Sequence, residues 1–523
     1  MASGLLLIGL GSFFLAVNLF GLTFLRGTAQ ALQWLVDYWP LVLVIWGVAK
    51  IAKRFMTPER SRVSGLEVAV LVVVVLAGLG LTATRRAMSH LAEGADWSGF
   101  AEVFGPEFLG PRREFVDEQS FPLASGSSLF VENQRGNVRI SGWSEDRLQV
   151  MITKYIHDFG ENEARRTADQ IQLELAPHGN GNRLSVVAPE RLFVETELTI
   201  RLPRSTALDI RNRRGGSITV HDMEASADLT TREGPIEVLR STGDVNARTN
   251  RSAIRVEDIS GPVEASTRNG DIVVLRVTGD LDASTSSADL VADDIAGNAK
   301  LSVRHGTLRV RRASGSVDLE ANDAEVSIES AQGPVRIDSR RGELHLRDLS
   351  SSLDVRARRT TLRASSVAGD VTVDVGDRPI TLRRIGGSLK INATGADVSL
   401  AEVAGPTIIE GAPNDVHVSD FSGNLTVRSH HGEIHADTTD LSGDVRLETS
   451  YGDIELALSP TTSAVLDFST QDGQLQSAFP GVEIESEAAV GAERRWKGQI
   501  GSGLRAVTLI TTYGDIRLRA EGQ

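Results

Sequence analysis

A glycine or another small residue recurs every nine residues over more than two hundred positions, from Gly216 to Gly432. This register contains 25 anchor positions with no insertion, and 16 of them are glycine. Val, Ile or Leu stands two residues after the anchor in 22 of the 25 cases, and Val, Ile, Leu or Ala stands four residues after every anchor. A fixed period with a fixed apolar pattern is typical of a repeat protein whose short elements stack on one another.

The nine-residue unit predicts a short β-strand followed by a tight turn. Side chains of a strand alternate between its two faces, so offsets two and four after the anchor point inward and offsets one, three and five point outward. Glycine at the anchor allows the positive φ or the close backbone approach that such a turn needs. The glycines that we expect to be structural turn residues are Gly234, Gly243, Gly261, Gly270, Gly279, Gly306, Gly315, Gly333, Gly342 and Gly369.

A second periodicity indicates that the full repeat is 18 residues. Seven residues after every second anchor the chain has an apolar residue in most cases, as at Ile259, Val277 and Ile295, whereas after the intervening anchors this position is mostly polar, as at Arg268 and Arg304. Each coil therefore has two arms, one buried corner and one solvated corner. The predicted fold class is an all-β, single-chain β-solenoid of about twelve two-arm coils, preceded by a helical transmembrane region.

The transmembrane prediction rests on three apolar runs, at residues 4–25, 34–51 and 66–83. Each has about the 20 residues that a bilayer-crossing helix needs. The densest basic cluster near any run lies between the second and third, which predicts a cytoplasmic loop there and an extracytoplasmic C-terminal region. We therefore expect a multi-pass protein of a bacterial inner (cytoplasmic) membrane, with the lipid bilayer as a partner. The cluster comprises Lys50, Lys53, Arg54, Arg60 and Arg62.

These patterns divide the chain into five predicted regions. Residues 1–86 form the transmembrane region and residues 87–119 a linker, followed by a strand-rich leading and capping region at residues 120–215. The β-solenoid repeats occupy residues 216–456, and residues 457–523 form a strand-rich C-terminal cap.

Composition and motifs argue against catalysis. The chain has no Cys, which excludes disulfides and thiolate chemistry, and it contains no GxSxG, HExxH, P-loop or GxGxxG string. The nine-residue period also leaves little room for the long loops that would build a catalytic cleft on a β-helix. We predict no enzyme activity and no cofactor, and the formal charge of −14 disfavours nucleic acid as a partner.

Two kinds of position carry side chains that bind metals in other proteins. Asp271 and Asp280 follow turn glycines, where a Gly-Asp turn explains them, and the GGxGxDxUx signature of calcium-binding β-rolls is absent. His417 and His435 are 18 residues apart and point outward in one row, a spacing that can hold a divalent metal. Solvated side chains are the alternative for that row, and no metal site is predicted.

A basic segment interrupts the acidic total. Between Lys300 and Lys390 there are 17 Lys and Arg residues against 12 Asp and Glu residues. Such a face can contact anionic envelope polymers or lipid headgroups; a charged edge that discourages strand-to-strand aggregation is the alternative. The candidate polyanion contacts are Arg311, Arg312, Arg340, Arg341, Arg358 and Arg359.

The repeat "TxxGxIxV" and the preceding "LTIRLPRSTALDIRNRRGGSITV" resemble the bacterial adhesin-like β-strand-repeat family DUF4097, from about residue 120 to the C-terminus. The runs "LLLIGLG" and "YWPLVLVIWGV" resemble the membrane segment of LiaI/LiaF-like cell-envelope stress proteins. The resemblance implies a non-enzymatic envelope protein that displays a β-repeat domain as an adhesin-like, scaffold or sensing module, with envelope polymers or other membrane proteins as partners. The alternatives are a polymerising, bactofilin-like β-helical scaffold and a polysaccharide-acting β-helix enzyme.

Overall fold

A computed structural model describes residues 111–157, 160–188, 194–490 and 493–521. The three apolar runs lie outside these residues. Among the described residues, no helix is long and apolar enough to span a bilayer. The described chain contains one helix, α1 (Glu161–Gln170), and 37 strands. The strands are β1 (Arg112–Pro122), β2 (Ser128–Asn133), β3 (Val138–Trp143), β4 (Arg147–His157), β5 (Gln172–His178), β6 (Gly181–Val187), β7 (Val194–Pro203), β8 (Ala207–Asn212), β9 (Ile218–His221), β10 (Ala227–Thr231), β11 (Ile236–Ser241), β12 (Val245–Arg248), β13 (Ile254–Ile259), β14 (Val263–Thr267), β15 (Ile272–Val277), β16 (Leu281–Ser287), β17 (Leu290–Ile295), β18 (Ala299–Ala313), β19 (Val317–Ala331), β20 (Val335–Leu349), β21 (Leu353–Val367), β22 (Val371–Gly376), β23 (Ile380–Ile385), β24 (Leu389–Thr394), β25 (Val398–Val403), β26 (Thr407–Ala412), β27 (Val416–Phe421), β28 (Leu425–Arg428), β29 (Ile434–Thr438), β30 (Val445–Tyr451), β31 (Ile454–Leu458), β32 (Ala464–Thr470), β33 (Leu475–Ser477), β34 (Val482–Val490), β35 (Glu493–Ile500), β36 (Arg505–Tyr513) and β37 (Ile516–Ala520).

The chain divides into two compact units. The smaller unit takes its described residues from 111–117, 152–157, 160–174, 186–188 and 194–197 and includes α1. Within it, Lys154 is buried, donates a hydrogen bond to the Ala168 carbonyl at 2.9 Å and forms an ion pair with Asp117. These partners satisfy the charge of a lysine that would otherwise be costly to bury.

The larger unit is a β-solenoid of about 14 turns, built from two parallel ladders. In one ladder Val245 pairs with Val263, which pairs with Leu281, and in the other Ile254 pairs with Ile272. Each pairing joins residues 18 apart, so the 18-residue repeat equals one coil. β18 to β21 are each 15 residues long and contribute to both ladders. The predicted all-β solenoid is thus confirmed.

The count of turns exceeds the predicted twelve because strands outside the regular register join the same ladders. At the N-terminal side β2 pairs with β8 and β3 pairs with β9, both in parallel. At the C-terminal side β36 pairs with β30 and β37 pairs with β31, again in parallel. β32 and β33 continue the ladders by pairing in parallel with β36 and β37, whereas β35 pairs antiparallel with both β32 and β34 and departs from the solenoid pattern.

In each coil, the buried corner depends on one residue whose backbone adopts the left-handed conformation. Offsets four and seven are both buried, as at Val256 and Ile259, yet an odd step along a regular strand reverses the face. A positive φ at offset six restores the inward direction at offset seven. The twelve such residues have φ between 49° and 62°: Asp222, Arg240, Asp258, Arg276, Asp294, Arg312, Ser330, Asp348, Ser366, Arg384, Glu402 and Asp420.

The other arm buries three alternating positions, one more than the sequence pattern indicates. Offset six is buried there and is threonine in four successive coils. The Thr267 hydroxyl donates to the Ser252 carbonyl at 3.2 Å, and the Thr285 hydroxyl donates to the Gly270 carbonyl at 3.3 Å. Each threonine therefore satisfies a turn carbonyl while its methyl group packs in the core. The four are Thr231, Thr249, Thr267 and Thr285.

The anchor glycines serve two distinct purposes. A Cβ on Gly279 would lie 2.4 Å from the Gly261 backbone, although the φ of Gly279 is not positive. Gly234 combines a φ of +153° with a Cβ position only 2.1 Å from the Gly216 carbonyl oxygen. Close stacking of one turn on the next excludes a side chain at both positions, and the backbone conformation adds a second constraint at Gly234.

Candidate functional site

The carboxylates that follow the turn glycines bind the next coil. Asp280 Oδ1 accepts a hydrogen bond from the Asn298 backbone N–H at 2.7 Å, and Asp271 Oδ1 accepts one from Asp289 N–H at 3.2 Å. Asp370 Oδ1 accepts both the hydroxyl and the backbone N–H of Ser388, at 2.7 and 2.8 Å. The Ser388 hydroxyl, and then its N–H, lower the pKa of the Asp370 carboxyl. These interactions connect successive turns of the solenoid.

The buried corner, called the left-handed corner from here on because offset six has a positive φ there, carries a second row of charges that pair between coils. Arg240 Nε donates to Asp222 at 2.8 Å, and Arg276 Nε donates to Asp258 at 2.5 Å. Arg276 also contacts Glu257. The hydrogen bond from Arg276 lowers the pKa of the Asp258 carboxyl. The row is exposed, so each of these pairs contributes little stability.

The predicted basic residues divide into paired and unpaired guanidiniums. Four of them form ion pairs with a carboxylate: Arg311 with Glu329 at 3.6 Å, Arg312 with Asp293 at 2.5 Å, Arg341 with Asp323 at 2.5 Å, and Arg359 with Asp377 at 3.9 Å. Arg340 and Arg358 are exposed and lie side by side in register on β20 and β21. Within the described residues, neither of these two forms an ion pair. Like charges directly opposite one another on a sheet are unfavourable, so an external anion would relieve this pair.

A polar groove of about 480 Å³ lies beside this basic pair, on the arm that buries threonine. Its lining includes the outward-facing Ser284 and Ser302 together with two cations and two carboxylates: Arg304, Arg340, Glu320 and Asp338. The groove follows the ladder rather than enclosing a chamber. Its hydroxyl and guanidinium groups can donate hydrogen bonds to an extended anionic ligand.

The two predicted candidate histidines are neighbours across the ladder. His417 pairs in register with His435, and their ring centroids are 5.7 Å apart. The next coil places Glu455 beside His435, with His435 Nε2 3.1 Å from Glu455 Oε2. Glu455 was not predicted from the sequence, because two extra residues between the coils shift it out of the 18-residue spacing.

Acidic side chains gather at the same end of this row. One carboxylate oxygen from each of Asp420, Asp437 and Glu521 lies within 4.8 Å of the others. Burial raises the pKa of the Asp437 carboxyl, while His417 and His435 oppose that shift. The C-terminal Glu521 could not be assigned to this group from sequence spacing, since its place depends on the return of β37 to the ladder.

An exposed aromatic cluster was also missed. The rings of His431 and Tyr451 stack with centroids 5.2 Å apart, and His430 meets the Tyr451 ring edge-on at 5.6 Å. Tyr513 stacks on Tyr451 at 5.0 Å. The repeated strings "SYGDIEL" and "TTYGDIRL" contain the signal, since both place a tyrosine directly before the turn glycine.

Comparison with known proteins identifies a family. The family model described as Toastrack DUF4097 matches residues 127–399 and 374–519, and no curated protein matches the chain. A crystal structure of a candidate cell adhesion protein from Clostridium sporogenes ATCC 15579 is 10% identical, covers 78% of this chain and 100% of its own, and has a TM-score of 0.13. A crystal structure of a candidate adhesin from Bacteroides fragilis NCTC 9343 is 14% identical, covers 55% and 95%, and has a TM-score of 0.18.

Proposed function

Because the chain belongs to the Toastrack DUF4097 family, we propose that it is a non-enzymatic, membrane-anchored protein that presents its β-solenoid outside the cytoplasm. The solenoid acts there as an adhesin-like, scaffold or envelope-sensing surface. The anchor consists of the three apolar runs of residues 1–86, which resemble LiaI/LiaF-like membrane segments. The basic loop between the second and third runs favours the extracytoplasmic orientation.

One observation supports surface presentation over catalysis. The carboxylates most regularly placed on the turns accept backbone hydrogen bonds from the next coil, as Asp280 does from Asn298 and Asp370 does from Ser388. An acid that is held by the scaffold in this way is a poor proton donor or acceptor for a substrate. The repeats thus use their acidic groups to build a long regular surface.

The contact surface lies at the unpaired basic residues Arg340 and Arg358 and the polar groove beside them. Its ligand is an anionic polymer or headgroup of the cell envelope. Two adjacent guanidiniums with no carboxylate partner among the described residues form a site where phosphate or carboxylate groups replace the missing counter-charge.

Binding of polyphosphate to the full chain, measured by fluorescence anisotropy at low and physiological salt, tests this contact. The double variant Arg340→Ala/Arg358→Ala should weaken binding roughly tenfold or more, since each basic residue near an anionic surface contributes about 1 kcal/mol. The matched variant Arg311→Ala/Arg359→Ala removes two arginines that already have carboxylate partners. Equal losses in both variants would contradict a specific contact at Arg340 and Arg358.

A further inference from the structure

Three successive coils present metal-ligating side chains at one position of the ladder. His417 on β27, His435 on β29 and Glu455 on β31 are paired in register. All three project outward, because they alternate with buried neighbours such as Val418 and Ala436. Two imidazoles and one carboxylate are a ligand set that binds divalent transition metals in many proteins.

The separation of the two imidazole rings matches that of two ligands on one ion, although the ligand atoms of His417, His435 and Glu455 do not all lie within 4.8 Å of one another in this structure. Imidazole nitrogens lie about 2.0–2.1 Å from a bound Zn²⁺, which places the ring centroids of two ligands roughly 5–6 Å apart. The His417 and His435 centroids are 5.7 Å apart with an interplanar angle of 32°. His417 is exposed, so small rotations of its side chain are available to bring its nitrogen toward the ion.

Glu455 is already oriented toward this position. Its Oε2 lies 3.1 Å from His435 Nε2, and its Oε1 lies 2.5 Å from Arg519 Nε. The arginine therefore holds one carboxylate oxygen while the other faces the imidazole. Such outer contacts orient first-shell ligands in established metal sites. Asp437 lies two residues after His435 on the same outward face, where a carboxylate oxygen is available as a fourth donor.

We propose that His417, His435 and Glu455 bind one divalent transition-metal ion, for which Zn²⁺ is the probe, with Asp437 or water as the fourth ligand. Metal binding requires these ligand atoms to be free of protons, so the affinity falls as the pH is lowered. The ion then links three consecutive coils. This site is separate from the basic contact surface and does not depend on the proposed function.

Titration of the chelator-treated full chain with Zn²⁺ by calorimetry, and with Co²⁺ by visible absorption, tests the site. We expect one ion per chain and a Co²⁺ spectrum of a four-coordinate site with nitrogen and oxygen ligands. His417→Ala or His435→Ala should weaken binding by roughly 100-fold or more, and Glu455→Gln by roughly tenfold. Circular dichroism of each variant verifies that the solenoid remains folded.

Two controls distinguish this site from other histidines. His345→Ala removes an outward histidine from a coil whose neighbours in register are Ser327 and Arg363, and it should leave Zn²⁺ affinity unchanged. His430→Ala/His431→Ala removes the aromatic pair and should also leave the affinity unchanged. Absence of stoichiometric binding, retention of affinity in His417→Ala and His435→Ala, or an equal loss in either control would overturn the proposal.

Discussion

Tyr451 and Tyr513 stack almost parallel, with ring centroids 5.0 Å apart and an interplanar angle of 10°, although they lie 62 residues apart in sequence. The pairing of β30 with β36 in parallel brings them together. After β31 the chain forms β32 and β33, passes through the antiparallel strands β34 and β35, and returns as β36 and β37, which pair in parallel with β30 and β31 on one side and with β32 and β33 on the other. The stack marks the point of return.

The tyrosine stack should stabilise the last turns. We expect the Tyr451→Ala/Tyr513→Ala double-mutant cycle to give a coupling energy of about 0.5–1.5 kcal/mol, typical of aromatic pairs. Chemical denaturation of the full chain provides the four free energies of unfolding. A coupling energy near zero would show that the rings do not interact in solution.

Because the turns stack closely, replacing a turn glycine by alanine should destabilise the chain more than the same change at a glycine outside the turns. Gly279→Ala places a methyl group against the Gly261 backbone and should cost about 1–3 kcal/mol of local stability. Gly376→Ala is the matched control, because its Cβ would meet only the Thr394 carbonyl oxygen, at 3.6 Å. Hydrogen–deuterium exchange should show faster opening of β14 and β16 in the first variant alone. Similar exchange in both would contradict the stacking argument.

Because of the left-handed corner, we expect valine to have opposite effects on stability at two positions of β19. Ser330 has a φ of 60°, and a β-branched side chain is strongly disfavoured in that region, so Ser330→Val should destabilise the chain by about 1–2 kcal/mol. Ser327→Val changes a residue three positions earlier in the same strand, where valine is favoured, and should be neutral or stabilising. The denaturation midpoints of the two variants give the comparison. Equal midpoints would contradict the assignment of the corner.

Acidification should weaken the antiparallel pair of β32 and β35. Arg495 donates two hydrogen bonds to Asp467, at 2.9 and 2.6 Å, and thereby lowers the pKa of the Asp467 carboxyl. The folded chain then binds this proton less tightly than the unfolded chain, so the stability from the pair is present above the ordinary Asp value of about 3.9 and is lost as pH falls through the lowered pKa.

Asp467→Asn tests this dependence. The variant should be less stable than the parent chain at pH 7, and the difference should shrink as pH falls below about 4. Asp318→Asn removes one exposed carboxylate that has no described partner, and it controls for the change in net charge. A stability difference for Asp467→Asn that stays constant down to pH 2 would indicate that ionisation of Asp467 is irrelevant.

The sequence predicts the solenoid and its core because each coil places apolar residues at the same buried offsets. Val256 and Val274 occupy the same offset in successive coils and are both fully buried. The left-handed corner was not predicted, since Asp258 and Arg276 have the polarity of any exposed residue. The odd step from offset four to offset seven was its only signal.

The candidate site was predictable only in part, for a different physical reason. His417 and His435 obey the 18-residue spacing, so their proximity follows from the repeat. Glu455, Tyr513 and Glu521 lie beyond the point where the spacing changes, and their partners depend on long-range strand pairing that periodicity does not encode. The three apolar runs and the region boundaries remain predictions from the sequence.

Protease accessibility of the C-terminal region in intact spheroplasts, with lysed cells as the control, tests the proposed function most directly. The proposed orientation predicts that the solenoid is digested in intact spheroplasts while a cytoplasmic marker protein remains protected. Protection of the solenoid until the cells are lysed would place it in the cytoplasm and contradict presentation at the cell envelope.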